Sequence, residues 1–182
     1  MVRFSHFVVF RLSVAAILTA ISAAIALGMN LRGAASAVAQ AEASGRARIS
    51  KNPLGATIID DRYNSSPASL AGALRMLKAL PGRRIALLGR MAELGDFEEA
   101  EHIAAGRVAA ECCDILVCSG EVCRPLADSA RASGLDDVRW FATKEEAAGS
   151  VASLLLAGDY VLVKASRGEE FETILPLLEG AK

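Results

Sequence analysis

The stretch ATIIDDRYNSSPASLAGALRMLKALPGRRIALL, residues 56–88, changes its periodicity twice, and that change decides the fold. Ala56 to Ile59 is a short β-rich run, a polar loop from Asp60 to Ser66 follows, and Pro67 to Leu80 carries apolar residues at helical spacing. Pro67 suits the first turn of that helix and Ser66 its N-cap. A second β-rich run, Arg84 to Leu88, completes a strand, helix, strand unit. Strands joined through a helix of this length run parallel in one sheet.

Working outward, the pattern repeats. Strands are predicted at Ile115 to Cys118, Val138 to Phe141 and Tyr160 to Val163, and helices at Phe97 to Cys113, Val122 to Ala132, Lys144 to Leu156 and Glu170 to Leu178. The expected architecture is a Rossmann-like three-layer α/β domain with a mainly parallel sheet. Ahead of it, Leu12 to Leu27 and Leu31 to Ala43 read as an Ala-rich helical hairpin, with Gly28 ending the first helix. Between Gly45 and Gly55 the chain turns polar and basic (Arg46, Arg48, Lys51, Asn52, Pro53) and reads as a connector. This connector is the candidate domain boundary.

The 182 residues suffice for a real core, burying roughly 70% of the unfolded surface, so staples are not needed. A net charge of −1 gives no electrostatic footprint for nucleic acid. The mean hydropathy of +0.35 is high and originates partly in the N-terminal helices. Leu12 to Met29 is uncharged, but it contains Ser13, Thr19 and Ser22 and is rich in weakly hydrophobic alanine. It reads as a packed helix, with a membrane anchor or signal segment as the competing reading.

The four cysteines, Cys112, Cys113, Cys118 and Cys123, have the spacing C-C-x4-C-x4-C, which matches no common zinc pattern. They read as buried free thiols, which implies a reducing, cytoplasmic compartment. The two histidines, His6 and His102, lie on different segments, and no metal site is predicted. The chain holds no G-x-x-x-x-G-K-[ST], no G-x-G-x-x-G and no G-x-S-x-G, which disfavours autonomous nucleotide hydrolysis and serine hydrolase chemistry. In a parallel sheet, function collects on the loops after the strand ends. Those loops here are 60–67, 89–95, 119–122 and 164–168, and their polar residues are expected to converge on one edge.

Three of those loops carry a resemblance. Residues 58–70, IIDDRYNSSPASL, resemble the D-D-S-Y-N-A-N-P-x-S-M signature of the Mur ligases. Residues 88–95, LGRMAELG, with His102 downstream, look like G-D-M-x-E-L-G and its following histidine, and residues 161–168, VLVKASRG, look like V-L-V-K-G-S-R. The order and spacing are similar to the branch that adds D-alanyl-D-alanine to UDP-N-acetylmuramoyl-tripeptide. The resemblance implies that residues from Ala56 onward form that family's C-terminal, acceptor-binding domain. It also implies that the N-terminal helices are a remnant of the central ATPase domain and that Gly45 and Arg46 form the hinge, which divides the chain into domains 1–46 and 47–182.

The family reaction implied is ATP-dependent amide formation in peptidoglycan precursor synthesis, with Mg²⁺ bridging phosphates. Arg46 matches the hinge arginine that reaches ATP phosphate, a role suited to a permanently charged fork. Asp61 and Asn64 match the nucleotide-binding loop, although turn chemistry also accounts for both. Lys164, Ser166 and Arg167 match the loop lining the acceptor pocket, where a cation would pair with the dipeptide carboxylate. Lys164 equally reads as a solvated charge at the sheet edge. Glu93 and His102 have no assigned role, a loop cap and a core or helix-surface histidine being the plain readings.

Three departures stand out: Arg62 replaces a family serine, Arg90 an aspartate and Ala165 a glycine. The last is costly where the backbone needs positive φ or close ligand approach. Phe10 also stands where the family has an asparagine near the nucleotide. The implied P-loop and UDP-sugar domain are not in these residues. The chain alone is therefore expected to be inactive and to bind neither ATP nor Mg²⁺ tightly, with D-alanyl-D-alanine as the possible ligand. Two other readings compete: a non-catalytic binding module working with a separately encoded partner, and a membrane-anchored α/β domain.

Overall fold

The computed structural model describes residues 14–40 and 48–180. Arg46, His6 and Phe10, and the start of the expected first helix, lie outside the described residues. The chain divides into two compact units, Met1–Ala43 and Ser44–Lys182.

In the first unit, α1 (Val14–Ala26) and α2 (Leu31–Gln40) pack on one another. The turn between them is set by Gly28 at φ 91°, a conformation open to glycine at little cost. Met29 N–H donates to Ala24 O and Gly28 N–H to Ile25 O, the paired bonds of a Schellman ending. Asn30 Oδ1 then accepts from Gly33 N–H at 2.8 Å and caps α2. Among the described residues no helix is long and apolar enough to cross a membrane.

The second unit is an α/β domain built on a six-stranded, mostly parallel sheet. Its strands are β1 (Arg48–Lys51), β2 (Thr57–Asp60), β3 (Arg84–Leu88), β4 (Ile115–Ser119), β5 (Asp137–Phe141) and β6 (Tyr160–Lys164), in the order β1-β2-β6-β3-β4-β5. Every pairing is parallel except β1 with β2. Helices α3 (Pro67–Lys78), α4 (Glu98–Cys112) and α5 (Arg124–Ala132) cover one face, packing Leu70, Leu74, Ala109 and Leu126 against Ile59, Ala86, Leu88, Leu116 and Leu162. On the other face, α6 (Lys144–Leu154) and α7 (Leu175–Glu179) meet Ile58, Ile85, Leu87, Val117, Val161 and Val163. Neighbouring strand residues thus alternate between two cores, which is why each central strand reads as an unbroken apolar run.

Two expectations need correction. The basic connector contains strand β1, whose register with β2 pairs Arg48 with Asp60 and Lys51 with Thr57. The expected helix at Glu170 to Leu178 is instead one 3₁₀ turn, Phe171–Thr173, followed by the short α7, with a further 3₁₀ turn, Arg167–Glu169, just ahead of it. Glu170 between the turns adopts the left-handed conformation, φ 51°, which an α-helix cannot pass through.

Candidate functional site

Strand order brings the carboxyl ends of β2, β6 and β3 side by side, with Asp60 opposite Val163 and Lys164 opposite Leu88. The loops 61–66, 89–97 and 165–170 therefore start from adjacent points on one edge, and side chains tie them together.

Lys164 leads this arrangement. Its side chain is only 2% exposed, and its ammonium donates to Asp61 Oδ2 at 2.6 Å, Asn64 O at 2.8 Å and Asp61 O at 3.4 Å. Lys164 is thus a buried strut across to the first loop and not the solvated charge that was its plain reading. Asp61 is the more accessible partner, at 22% side-chain exposure. Asn64 is exposed, and its Oδ1 accepts from Ser65 N–H at 2.8 Å, the turn chemistry that its residue type allows.

Ser166 joins all three loops. Its buried hydroxyl donates to Ser65 O at 3.2 Å and accepts from Ala92 N–H at 2.8 Å, while its own N–H donates to Arg90 O at 2.9 Å. Ala165 before it is fully buried and is not among the positive-φ residues. The strain expected from replacing a glycine there does not arise. Close approach is supplied from the other side: a Cβ on Gly89 would lie 2.9 Å from Ala165 Cβ and 2.7 Å from Phe171 Cζ.

His102, on α4, is fully buried. Met91 N–H donates to its Nε2 at 3.1 Å, so Nδ1 is the nitrogen that carries the proton and donates to Glu98 O at 2.7 Å. His102 thereby holds the 89–95 loop against the first turn of α4. Glu93 in that loop is exposed and has φ 64°, which is uncommon for a residue with a Cβ. Arg90, beside it, pairs with Glu98 at 2.6 Å, and this bond raises the arginine's pKa further.

Residue-type reasoning missed a charge network beneath the first loop. Asp60 is fully buried, with Arg62 Nε 3.2 Å from Oδ1 and Arg48 Nε 3.7 Å from Oδ2. Arg62 continues to Glu172 at 3.3 Å, and Arg48 to Glu179 at 2.6 Å, where Ser50 Oγ also donates. Burial pushes the Asp60 carboxyl above its ordinary value, and the two arginines only partly oppose this. The one sequence signal was the doublet Asp60-Asp61, since adjacent strand-end residues point to opposite faces.

At the remaining loop, Trp140 Nε1 donates to Gly120 O at 2.9 Å and Arg124 stacks 3.8 Å from the indole centroid. These contacts finish the sheet's far edge and do not reach the three joined loops.

As chemistry, the edge offers hydrogen-bond donors and, beside the Lys164 strut, the partly exposed Asp61 carboxylate. Lys164 engages Asp61 Oδ2, and Oδ1 makes no hydrogen bond among the described residues. Among the described residues no group of three or more His, Cys, Asp or Glu is placed to hold a metal ion.

A mostly parallel sheet with linked loops at the carboxyl ends of adjacent strands defines a Rossmann-like α/β domain, the class in which such strand ends are where ligand sites form. Comparison with known proteins places it further. The family model for the Mur ligase glutamate ligase domain matches residues 45–167. The UDP-N-acetylmuramoyl-tripeptide:D-alanyl-D-alanine ligase of Bacillus subtilis is 31% identical over 163 residues, covering 87% of this chain and 36% of that protein. A crystal structure of MurF from Acinetobacter baumannii superposes with TM-score 0.75 at 30% identity, over 86% of this chain and 35% of that one. MurF from Thermotoga maritima in complex with ADP gives TM-score 0.69 at 25% identity, over 88% of this chain and 36% of that one. The chain belongs to the Mur ligase family, through a MurF-like C-terminal glutamate ligase domain. It spans about a third of the length of these relatives.

Proposed function

We propose that this chain is the acceptor-binding part of an ATP-dependent amide ligase that joins D-alanyl-D-alanine to UDP-N-acetylmuramoyl-tripeptide in peptidoglycan precursor synthesis. The observation that carries the reading is the convergence of the three motif-bearing loops on one edge, bound together through Lys164, Ser166 and Asp61. Residues 47–182 form the acceptor-binding domain, and residues 1–46 belong with the central domain and hinge. Four free, buried cysteines suit a reducing compartment, here the cytoplasm.

In this role the edge positions the dipeptide amine for attack on an acyl phosphate. ATP with Mg²⁺ supplies the activated phosphoryl group, and Asp61 and Asn64 are the residues here that would hold the nucleotide. The 182 residues contain no P-loop, so alone they bind acceptor but make no product. A protein carrying the central and UDP-sugar domains completes the enzyme.

The test is a titration of the purified chain with D-alanyl-D-alanine, followed by NMR, beside a ligase assay with ATP, Mg²⁺, UDP-muramoyl-tripeptide and dipeptide. Shifts confined to loops 61–66, 89–97 and 165–170 with no product are expected. Dipeptide that perturbs nothing sinks the acceptor reading, and product from the chain alone sinks the incompleteness.

A further inference from the structure

On the acceptor-binding reading above, we infer that Arg167, seated over the ring of Tyr63, is the residue that recognises the acceptor's free carboxylate, and that Lys164 is not. The three loops and the end of β6 carry four cations of their own, Arg62, Arg90, Lys164 and Arg167, while Lys144 reaches in from α6 to bond Glu169 O and Glu170 O. Three are already matched, Arg62 with Asp60 and Glu172, Arg90 with Glu98, and Lys164 with Asp61. Among the described residues Arg167 has no carboxylate within ion-pair distance, and it is exposed.

Donor capacity separates Lys164 from Arg167. An ammonium has three N–H groups, and Lys164 directs all three at Asp61 and Asn64 while buried from solvent. It has nothing left for a ligand unless the strut breaks. Arg167 is held differently: its guanidinium carbon lies 5.5 Å from the Tyr63 ring centroid, within cation–π range. At that distance the ring attracts the guanidinium charge without pairing it with an anion, so the planar fork that matches a carboxylate in two parallel bonds is what a ligand would meet.

The position is also prepared in advance. Ser166, the preceding residue, is buried and bonded to Ser65, Ala92 and Arg90. Tyr63 is 38% exposed and lies in the loop that the same serine anchors. Little ordering remains to be done when a ligand arrives, which favours affinity. The ligand class is a small acceptor with a free terminal carboxylate.

The experiment compares D-alanyl-D-alanine with its C-terminal amide, titrated into the full chain and into Arg167→Ala, Arg167→Lys, Tyr63→Leu and Lys164→Met. Wild type is expected to prefer the acid by about 10-fold to 100-fold, the range for a charge-assisted pair. Arg167→Ala abolishes that ratio, Arg167→Lys and Tyr63→Leu reduce it, and Lys164→Met keeps it. If Arg167→Ala keeps the ratio, the inference falls while acceptor binding stands. If wild type binds neither ligand, acceptor binding itself falls and takes the inference with it. ATP titrated into the same variants supplies a third arm: lost ATP affinity with an unchanged acid-to-amide ratio assigns Arg167 to phosphate and overturns the inference.

Discussion

Lys164 and Asp61 form a pair whose two halves are not equivalent. Removing one partner of a buried pair leaves the other charge uncompensated, at a cost of about 3–5 kcal/mol when that charge stays dry. Lys164 is 2% exposed and cannot hydrate, whereas the Asp61 side chain is 22% exposed and can. Asp61→Ala should therefore destabilise the domain more than Lys164→Met, which replaces the ammonium by an apolar group of similar shape. Urea denaturation of both variants checks the order, and equal losses would refute the asymmetry. Asp60 makes a second prediction of opposite character. Its native carboxyl titrates above the ordinary 3.8, so the native state holds that proton more tightly than the unfolded chain. Stability then falls as pH rises from 3.8 through the raised native value, the reverse of an ordinary paired aspartate. Asp114, held below its ordinary value chiefly by its hydrogen bond from Arg84, behaves in that ordinary way and is present in wild type and variant alike. Relative to wild type, Asp60→Asn should gain stability between pH 4 and pH 7, and a difference that stays constant or shrinks would count against a strained carboxylate.

Elements were legible where burial on a regular face wrote a period into the sequence. The central strands and α3 lie within a residue or two of their expected limits, and the α3 N-terminus has the predicted Ser66 cap, completed by Ser69. Strand β1 escaped because it is a solvated edge: of Arg48-Ile49-Ser50-Lys51, only Ser50 is even half-buried. Its strand character comes from pairing with β2 and from Glu179, partners that local sequence cannot show. At 170–178 the buried set was right and the geometry wrong. Phe171, Ile174, Leu175 and Leu178 are all buried at helical spacing, yet left-handed Glu170 cuts the segment off from the turn before it, and Pro176, which lacks the N–H that would bond back to Glu172, starts a new helix at Leu175. The same limit applies to the site, whose motif loops were visible while the bonds joining them were not. Packing between α4 and α5 supplies the element-scale prediction. A Cβ on Gly106 would collide with Leu126 O and lie 2.9 Å from Ser129 Cβ, and Ser129 Oγ already donates across to Ile103 O. Alanine is the better helix former by about 1 kcal/mol. Gly106→Ala should nonetheless lower the melting temperature, because the helices must separate to admit the methyl group, and a rise would show that they close on each other less tightly.

At the scale of the molecule, one of the two cores of the α/β unit contains all four cysteines. Cys112, Cys113, Cys118 and Cys123 are free, buried and packed in the core under α3, α4 and α5. Burial pushes the Cys113 and Cys123 thiols up to about 12, Cys118 well above its ordinary value and Cys112 in the same direction. Only a thiolate attacks an alkylating reagent, so each cysteine is protected twice, by access and by protonation. Neither protection can be lost without opening the layer that also packs β2, β3, β4 and β6 from one side. Labelling with iodoacetamide should therefore be slow in the native state, similar for all four positions, and accelerated by urea with the slope of global unfolding followed by circular dichroism. With reagent dilute enough for reclosing to outrun modification, the rate reports the population of the open form and so the stability itself. A cysteine that labels rapidly without denaturant, or with a shallow urea dependence, would show that the α3, α4 and α5 layer opens by itself. Loops 61–66 and 89–97 would then be anchored on a layer less stable than the sheet they leave.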